Sequence, residues 1–246
     1  MDYADDARFI DLTDAAASLI ESIAADHSPA AFACSFGAED MVLLDLIAGH
    51  GPGIEVLTLD TGRLPPETLD LLARARDRYG IDIRVVRPDR ESVERYVRAF
   101  GVDGFYEGVQ QRRACCDIRK VQPLARALSG KRAWITGMRR DQSDGRAHIA
   151  ITEAEPLYGL SKFNPLAAWT TADVWTYVRA NHVPYNPLHD RGYPSIGCAP
   201  CTRAIRPGEP LRAGRWWWER TGVNKECGLH RVPVRVEALE RHALEA

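Results

Sequence analysis

The chain has 246 residues, 45% of them hydrophobic and 27% charged, with a formal net charge of -2. That length can bury a sizeable core, and the composition is ordinary for a globular protein. The charge balance excludes a global basic field that would draw nucleic acid or anionic lipid, and no apolar run reaches the length of a membrane span.

The opening MDYADDARFIDLTDAA is acidic and lacks the basic-then-apolar layout of a signal peptide, so a cytoplasmic, reducing setting is expected. Residues 1–28 read as a helical lead-in, and from 29 to 190 apolar runs alternate with amphipathic stretches. AAFACSF predicts a buried strand and EDMVLLDLIAGH a helix ending near Gly49. IEVLTLD predicts a second strand, PPETLDLLARARDRYG a helix with proline at its start, and IDIRVVRP a third strand. ESVERYVRAFG and CCDIRKVQPLARALSG predict helices, RAWITGM a strand, and ADVWTYVRANH a helix capped by Thr170 or Thr171. The alternation predicts an α/β fold, a mostly parallel sheet with helices on both faces. Beyond about Pro187 the pattern breaks up, and residues 191–246 read as a lobe and tail rich in Gly, Pro and Arg.

Ligands of such sheets bind beyond the carboxyl ends of the strands, so the loops there are the first place to look. SFGAED offers Ser35, Phe36, Gly37 and the amides of a helix start as a cradle for an anion. No lysine follows the glycine, so this is not the common NTPase loop, and a purely structural turn would look similar. LDTGRLPPET carries Asp60, Thr61, Gly62 and Arg63; Gly62 lets the backbone approach a ligand, while Asp60 and Thr61 equally suit a capped turn. WITGMRRDQS carries Gly137 and the neighbouring Arg139 and Arg140, a pair suited to phosphate or sulfate. Three such loops at one sheet edge point to a nucleotide-like anion.

The six cysteines sort into three groups. Cys115 and Cys116 are adjacent, and Cys198 and Cys201 form CAPC, so four thiolates in two close pairs suit zinc or an iron–sulfur cluster. Neighbouring side chains on a helix diverge by about 100°, which is poor for one tetrahedral ion and acceptable for separate iron corners, so [4Fe-4S] is favoured. Cys34 lies in an apolar strand and reads as structural. Cys227, in KECGLH, has Lys225 and His230 close by in sequence to raise its thiolate fraction. WWW at 216–218 reads as packing of the tail on the core, because consecutive aromatics point different ways.

In order, SFGAED, LDTGR, RRACCDIRKVQPLARAL, TGMRRDQS, IGCAPCTR, GRWWWE and KECGLH strongly resemble the bacterial assimilatory adenylyl-sulfate (APS) reductases of the phosphoadenylyl-sulfate reductase family. The resemblance runs from about residue 30 to 230 and implies an adenine nucleotide alpha-hydrolase fold. It implies that Cys115, Cys116, Cys198 and Cys201 hold a [4Fe-4S] cluster and that Cys227 is the nucleophile. Cys227 would attack the sulfur of APS, release AMP and carry an S-sulfocysteine, from which thioredoxin or a similar dithiol would free sulfite. Cations must shield that anionic encounter: Lys120, Arg139 or Arg140, Arg212, Arg215 and His230 are the candidates. The cluster's expected role is to tie the CC helix to the CAPC lobe and orient Lys120. No nucleic acid or membrane partner is expected, and a homo-oligomer is allowed. Three alternatives stay open: PAPS reduction or dual specificity, an ATP-using sulfur-transfer enzyme of the same fold, and a non-catalytic metal-binding regulator.

Overall fold

The computed structural model of the protein describes residues 3–219. After a long helix α1 (Tyr3–Asp26) the chain alternates: β1 (Ala30–Ala33), α2 (Ala38–His50), β2 (Glu55–Leu59), α3 (Pro66–Tyr79), β3 (Ile83–Val86) and α4 (Arg90–Phe100). Then come α5 (Val109–Cys116), a π turn (Asp117–Val121), α6 (Gln122–Leu128), β4 (Ala133–Ile135), β5 (Thr152–Glu155), β6 (Leu160–Phe163) and α7 (Thr171–Ala180).

The strands form one sheet in the order β3-β2-β1-β4-β6-β5, parallel except for the antiparallel edge strand β5. Alternate residues of the inner strands go to opposite layers. Phe32 and Cys34 join Val56 and Ile135 in a core completed by α1, α2 and α7, whereas Ala31, Leu57 and Trp134 pack on Leu124, Ala127 and Leu128 of α6. Helix α2 is apolar nearly all round and buries Met41 to Leu44, Leu46 and Ile47, as a helix must when it lies between the sheet and further helices.

Two local features differ from the sequence expectation. The edge pair β5 and β6 has no counterpart in it, because TEAE and LSKF are four residues each and lack an apolar run. The helix expected from Cys115 onward is interrupted by the π turn just after the paired cysteines. Pro123 explains the interruption: it has no N–H for the carbonyl four residues back, that of Arg119, so the ladder widens there.

The chain runs β1, β2, β3 outward in one direction and returns to place β4 on the other side of β1. The switch point therefore lies between β1 and β4, and the loops that follow them face one another across it.

Candidate functional site

A cavity of about 660 Å³ opens at this switch point. Its floor is built by the loops after β1 and β4, where Gly137 passes so close to Asp40 that a Cβ would overlap the carboxylate. Asp40 Oδ2 accepts both the backbone N–H (2.5 Å) and the hydroxyl (2.6 Å) of Ser35. The protein thus fills part of the expected anion cradle with its own carboxylate. Burial pushes the Asp40 carboxyl up to about 6. Glu39 beside it is held below the usual carboxylate range: burial opposes ionisation, but Arg139 and Gln142 outweigh it.

Arg139 is buried, with Nε and Nη2 on Glu39 at 3.0 and 2.8 Å and Nη1 on the Trp169 carbonyl at 3.1 Å. It lines the cavity, braced by these partners. Arg140 is exposed, donates to the Ile149 carbonyl at 3.0 Å, and is not among the described residues lining the cavity. Phe36 sits in the core at a left-handed φ of 61°, so its side chain serves packing. In the second loop Asp60 accepts from Gly62 N–H (3.0 Å) and Arg87 (3.1 Å), and Thr61 Oγ1 accepts from Arg63 N–H (3.2 Å). Gly62, at φ 70°, makes that turn possible. Arg63 donates to the Val102 carbonyl (2.9 Å) and Asp103 (2.7 Å), lies 5.1 Å over the Phe105 ring, and borders a second cavity.

Ser35, Gly37, Thr61, Gly137 and the cations Lys120, Arg212 and Arg215 do line the large cavity. Arg215 is buried, with Nη1 on the Ile196 carbonyl at 3.1 Å and near Ser195 Oγ at 3.4 Å. Gly197 makes room, since a Cβ there would overlap its guanidinium. Arg146 and His189 also line the cavity and were missed by the sequence reading, which had no motif around either. Burial lowers the His189 pKa, outweighing the Glu39 and Asp190 charges that oppose it.

The second, smaller cavity is lined by Cys115, Cys116, Cys198 and Cys201 together with Arg63, Arg112, Arg119 and Lys120. Lys120 alone among these also lines the large cavity. Thr61 Oγ1 lies 3.3 Å from Cys198 Sγ, and Arg119 donates to the Thr61 carbonyl at 2.7 Å. Burial and the neighbouring Cys198 push the Cys201 thiol up to about 12, and burial raises Cys115 too. Among the described residues no three His, Cys, Asp or Glu side chains converge as for a single ion. Four soft sulfur donors around one small cavity, ringed by cations, are a donor set that fits an iron–sulfur cluster. Cys34 is buried elsewhere, and burial raises its thiol well above the usual range, as for an inert core residue. Trp216 is buried, Trp217 exposed, and Trp218 packs against Phe105 and Tyr106. Cys227 and His230 lie outside the described residues.

The chain matches the phosphoadenosine phosphosulfate reductase domain over residues 29–204. It is 51% identical over 230 residues to an adenosine 5'-phosphosulfate reductase of Burkholderia cepacia, covering 92% of each chain. It is 51% identical over 217 residues to one of Allochromatium vinosum, covering 88% of this chain and 84% of that relative. The crystal structure of a phosphoadenylyl-sulfate (PAPS) reductase from Candida auris, a phosphate complex, superposes with a TM-score of 0.66 at 27% identity, covering 80% of this chain and 96% of that one. A domain match of this extent, with identity near one half across nearly the whole chain, has one consequence: the protein belongs to the phosphoadenosine phosphosulfate reductase family.

Proposed function

We propose that the protein is an adenylyl-sulfate reductase that converts APS to sulfite and AMP with electrons from thioredoxin or a similar dithiol, in the cytoplasm. The observation that carries this reading is the position of Lys120, shared by the nucleotide-sized cavity and the four-cysteine cavity. Relatives at about half identity carry the name adenosine 5'-phosphosulfate reductase. In this reading residues 29–190 are the nucleotide-binding core and 191–246 the cysteine lobe and catalytic tail.

The Cys227 thiolate attacks the sulfur of the sulfate group; the S–O bond to the phosphate breaks, AMP leaves with that electron pair, and Cys227 becomes an S-sulfocysteine. A dithiol then attacks Cys227 Sγ, the bond to the sulfonate breaks, and sulfite departs with two electrons. The partner's second thiol closes its own disulfide and returns Cys227 as thiolate. Lys120, Arg212 and Arg215, joined by His230, offset the charge of attacking thiolate and departing phosphate. Cys115, Cys116, Cys198 and Cys201 would hold a [4Fe-4S] cluster, which supplies fixed charge and a cross-link between α5 and the CAPC segment. Electrons need not pass through it, because the dithiol provides both.

Cys227→Ser tests the assignment. Sulfite release from APS should fall at least about a thousandfold with iron content unchanged. Turnover surviving in that variant would remove the proposal, and PAPS offered in parallel shows which nucleotide is preferred.

A further inference from the structure

Arg112, on α5, is 1% exposed, and the Glu219 side chain it meets is 2% exposed. Nε and Nη2 of Arg112 fork onto Oε1 and Oε2 of Glu219 at 2.5 and 3.1 Å. Burying two such charges costs several kcal/mol per ion before their attraction is counted, and apolar side chains of similar size often serve stability as well or better. The pair is therefore poorly explained as a stabilising contact alone. Its surroundings offer another explanation. The Arg112 guanidinium lies 4.5 Å from the centroid of the Trp216 ring, and the Arg215 guanidinium lies 4.8 Å from the same centroid. Trp216 has a left-handed φ of 44°, its backbone N–H donates to the Cys201 carbonyl at 3.2 Å, and its own carbonyl accepts from Glu219 N–H at 3.0 Å. One indole thus joins the cysteine helix to the cation on the wall of the large cavity.

We propose that Arg112 and Glu219 are positioning residues: through Trp216 they set the direction of Arg215, and so the strength with which the large cavity grips a phosphate or sulfate group. The fork fixes the Arg112 plane, that plane fixes the indole, and the indole supports the guanidinium that Ser195 and Ile196 hold from the other end. The cysteine lobe and the anion grip are then one mechanical unit.

The inference rests on AMP being a ligand of this cavity. Calorimetric titration of the full-length, anaerobically purified protein with AMP and with adenosine tests it. Glu219→Gln should weaken AMP about tenfold and adenosine less than about twofold, because only the phosphate depends on Arg215. In the Arg215→Ala background the same change should weaken AMP no further. Gln removes the Glu219 charge from beside the buried Arg112, so the apolar pair R112M/E219L serves as the second variant. It should keep the thermal midpoint of the parent yet bind AMP as weakly as Glu219→Gln, whereas Arg112→Lys, which keeps charge but not the planar fork, should retain only part of the parent's affinity. In turnover the loss should appear in both KM and kcat, because Arg215 faces the phosphate when it is bound and when it departs. Losses that add in the Arg215→Ala background, or an apolar pair with parental AMP affinity, would overturn the inference. An unaltered protein that binds no AMP would overturn the proposed function together with it.

Discussion

Asp40 shows how one residue changes the meaning of a loop. The letters SFGAED display small residues and a helix start, but not the return of the sixth residue, Asp40, to take Ser35 N–H and hydroxyl. Such a fold-back depends on the three-dimensional path of the turn, so the sequence suggests an open cradle where the protein has partly closed one. The consequence is measurable. The Asp40 pKa rises from 3.8 to about 6, mainly through burial, so the native state binds its proton more tightly than the unfolded chain. Its contribution is full below about pH 4 and is lost as pH rises through about 6, a fall of roughly 3 kcal/mol. Urea unfolding at stepped pH should show that Asp40→Asn gains on the parent by this order between pH 4 and 7. Parallel pH profiles would mean that Asp40 ionises as an ordinary carboxylate. Gly137→Ala should cost about 1–3 kcal/mol in the same assay, because its Cβ would meet Asp40 and stand 3.2 Å from Glu39 Cβ. Gly137 and its loop were legible in the sequence; that its opposite number is a carboxylate was not.

At the scale of elements, α7 illustrates what sequence makes plain. Thr170 caps it, accepting from Asp173 N–H at 3.2 Å, while Asp173 accepts from Thr170 N–H at 2.7 Å and from Arg8 of α1 at 2.9 and 3.0 Å. The reading had allowed Thr170 or Thr171, and the geometry selects the first. Because α7 supplies Thr171, Val174 and Arg179 to the cavity wall, this cap bears on the site as well as the helix. Thr170→Ala should destabilise the protein by about 1 kcal/mol, read as a lower urea midpoint at unchanged slope. The strands β1 to β4 were legible because each carries an apolar run into the sheet. The pair β5 and β6 was not: β5 is an edge strand of TEAE with alternating exposure, and Lys162 of β6 is buried only because Glu153 and the Trp134 ring receive it at 2.9 and 5.6 Å. The π turn after Cys116 was equally hidden, although its cause, Pro123, was in view.

At the scale of the molecule, the sheet's change of direction decides where chemistry can occur. It brings the β1 and β4 loops to one cavity and draws the CC and CAPC segments, distant in sequence, around another, with Lys120 between them. The close pairs of cysteines announced themselves by spacing; the cavity they share, and the Arg112–Glu219 pair behind it, needed the fold. Anaerobically purified protein should contain about four iron and four sulfide per chain, and Cys198→Ser should lose most of both while Cys34→Ser keeps them. A full metal content in Cys198→Ser would contradict the assigned ligands.

The central claim is that Cys227 itself receives the sulfonate before any reductant acts. Mass spectrometry of the intact protein after incubation with APS and no thiol tests it most directly. The account predicts a gain of one sulfonate group per chain, located on the peptide containing Cys227 and discharged as sulfite when a dithiol is added. An unmodified Cys227 alongside AMP release, or a sulfonate on another residue, would contradict it.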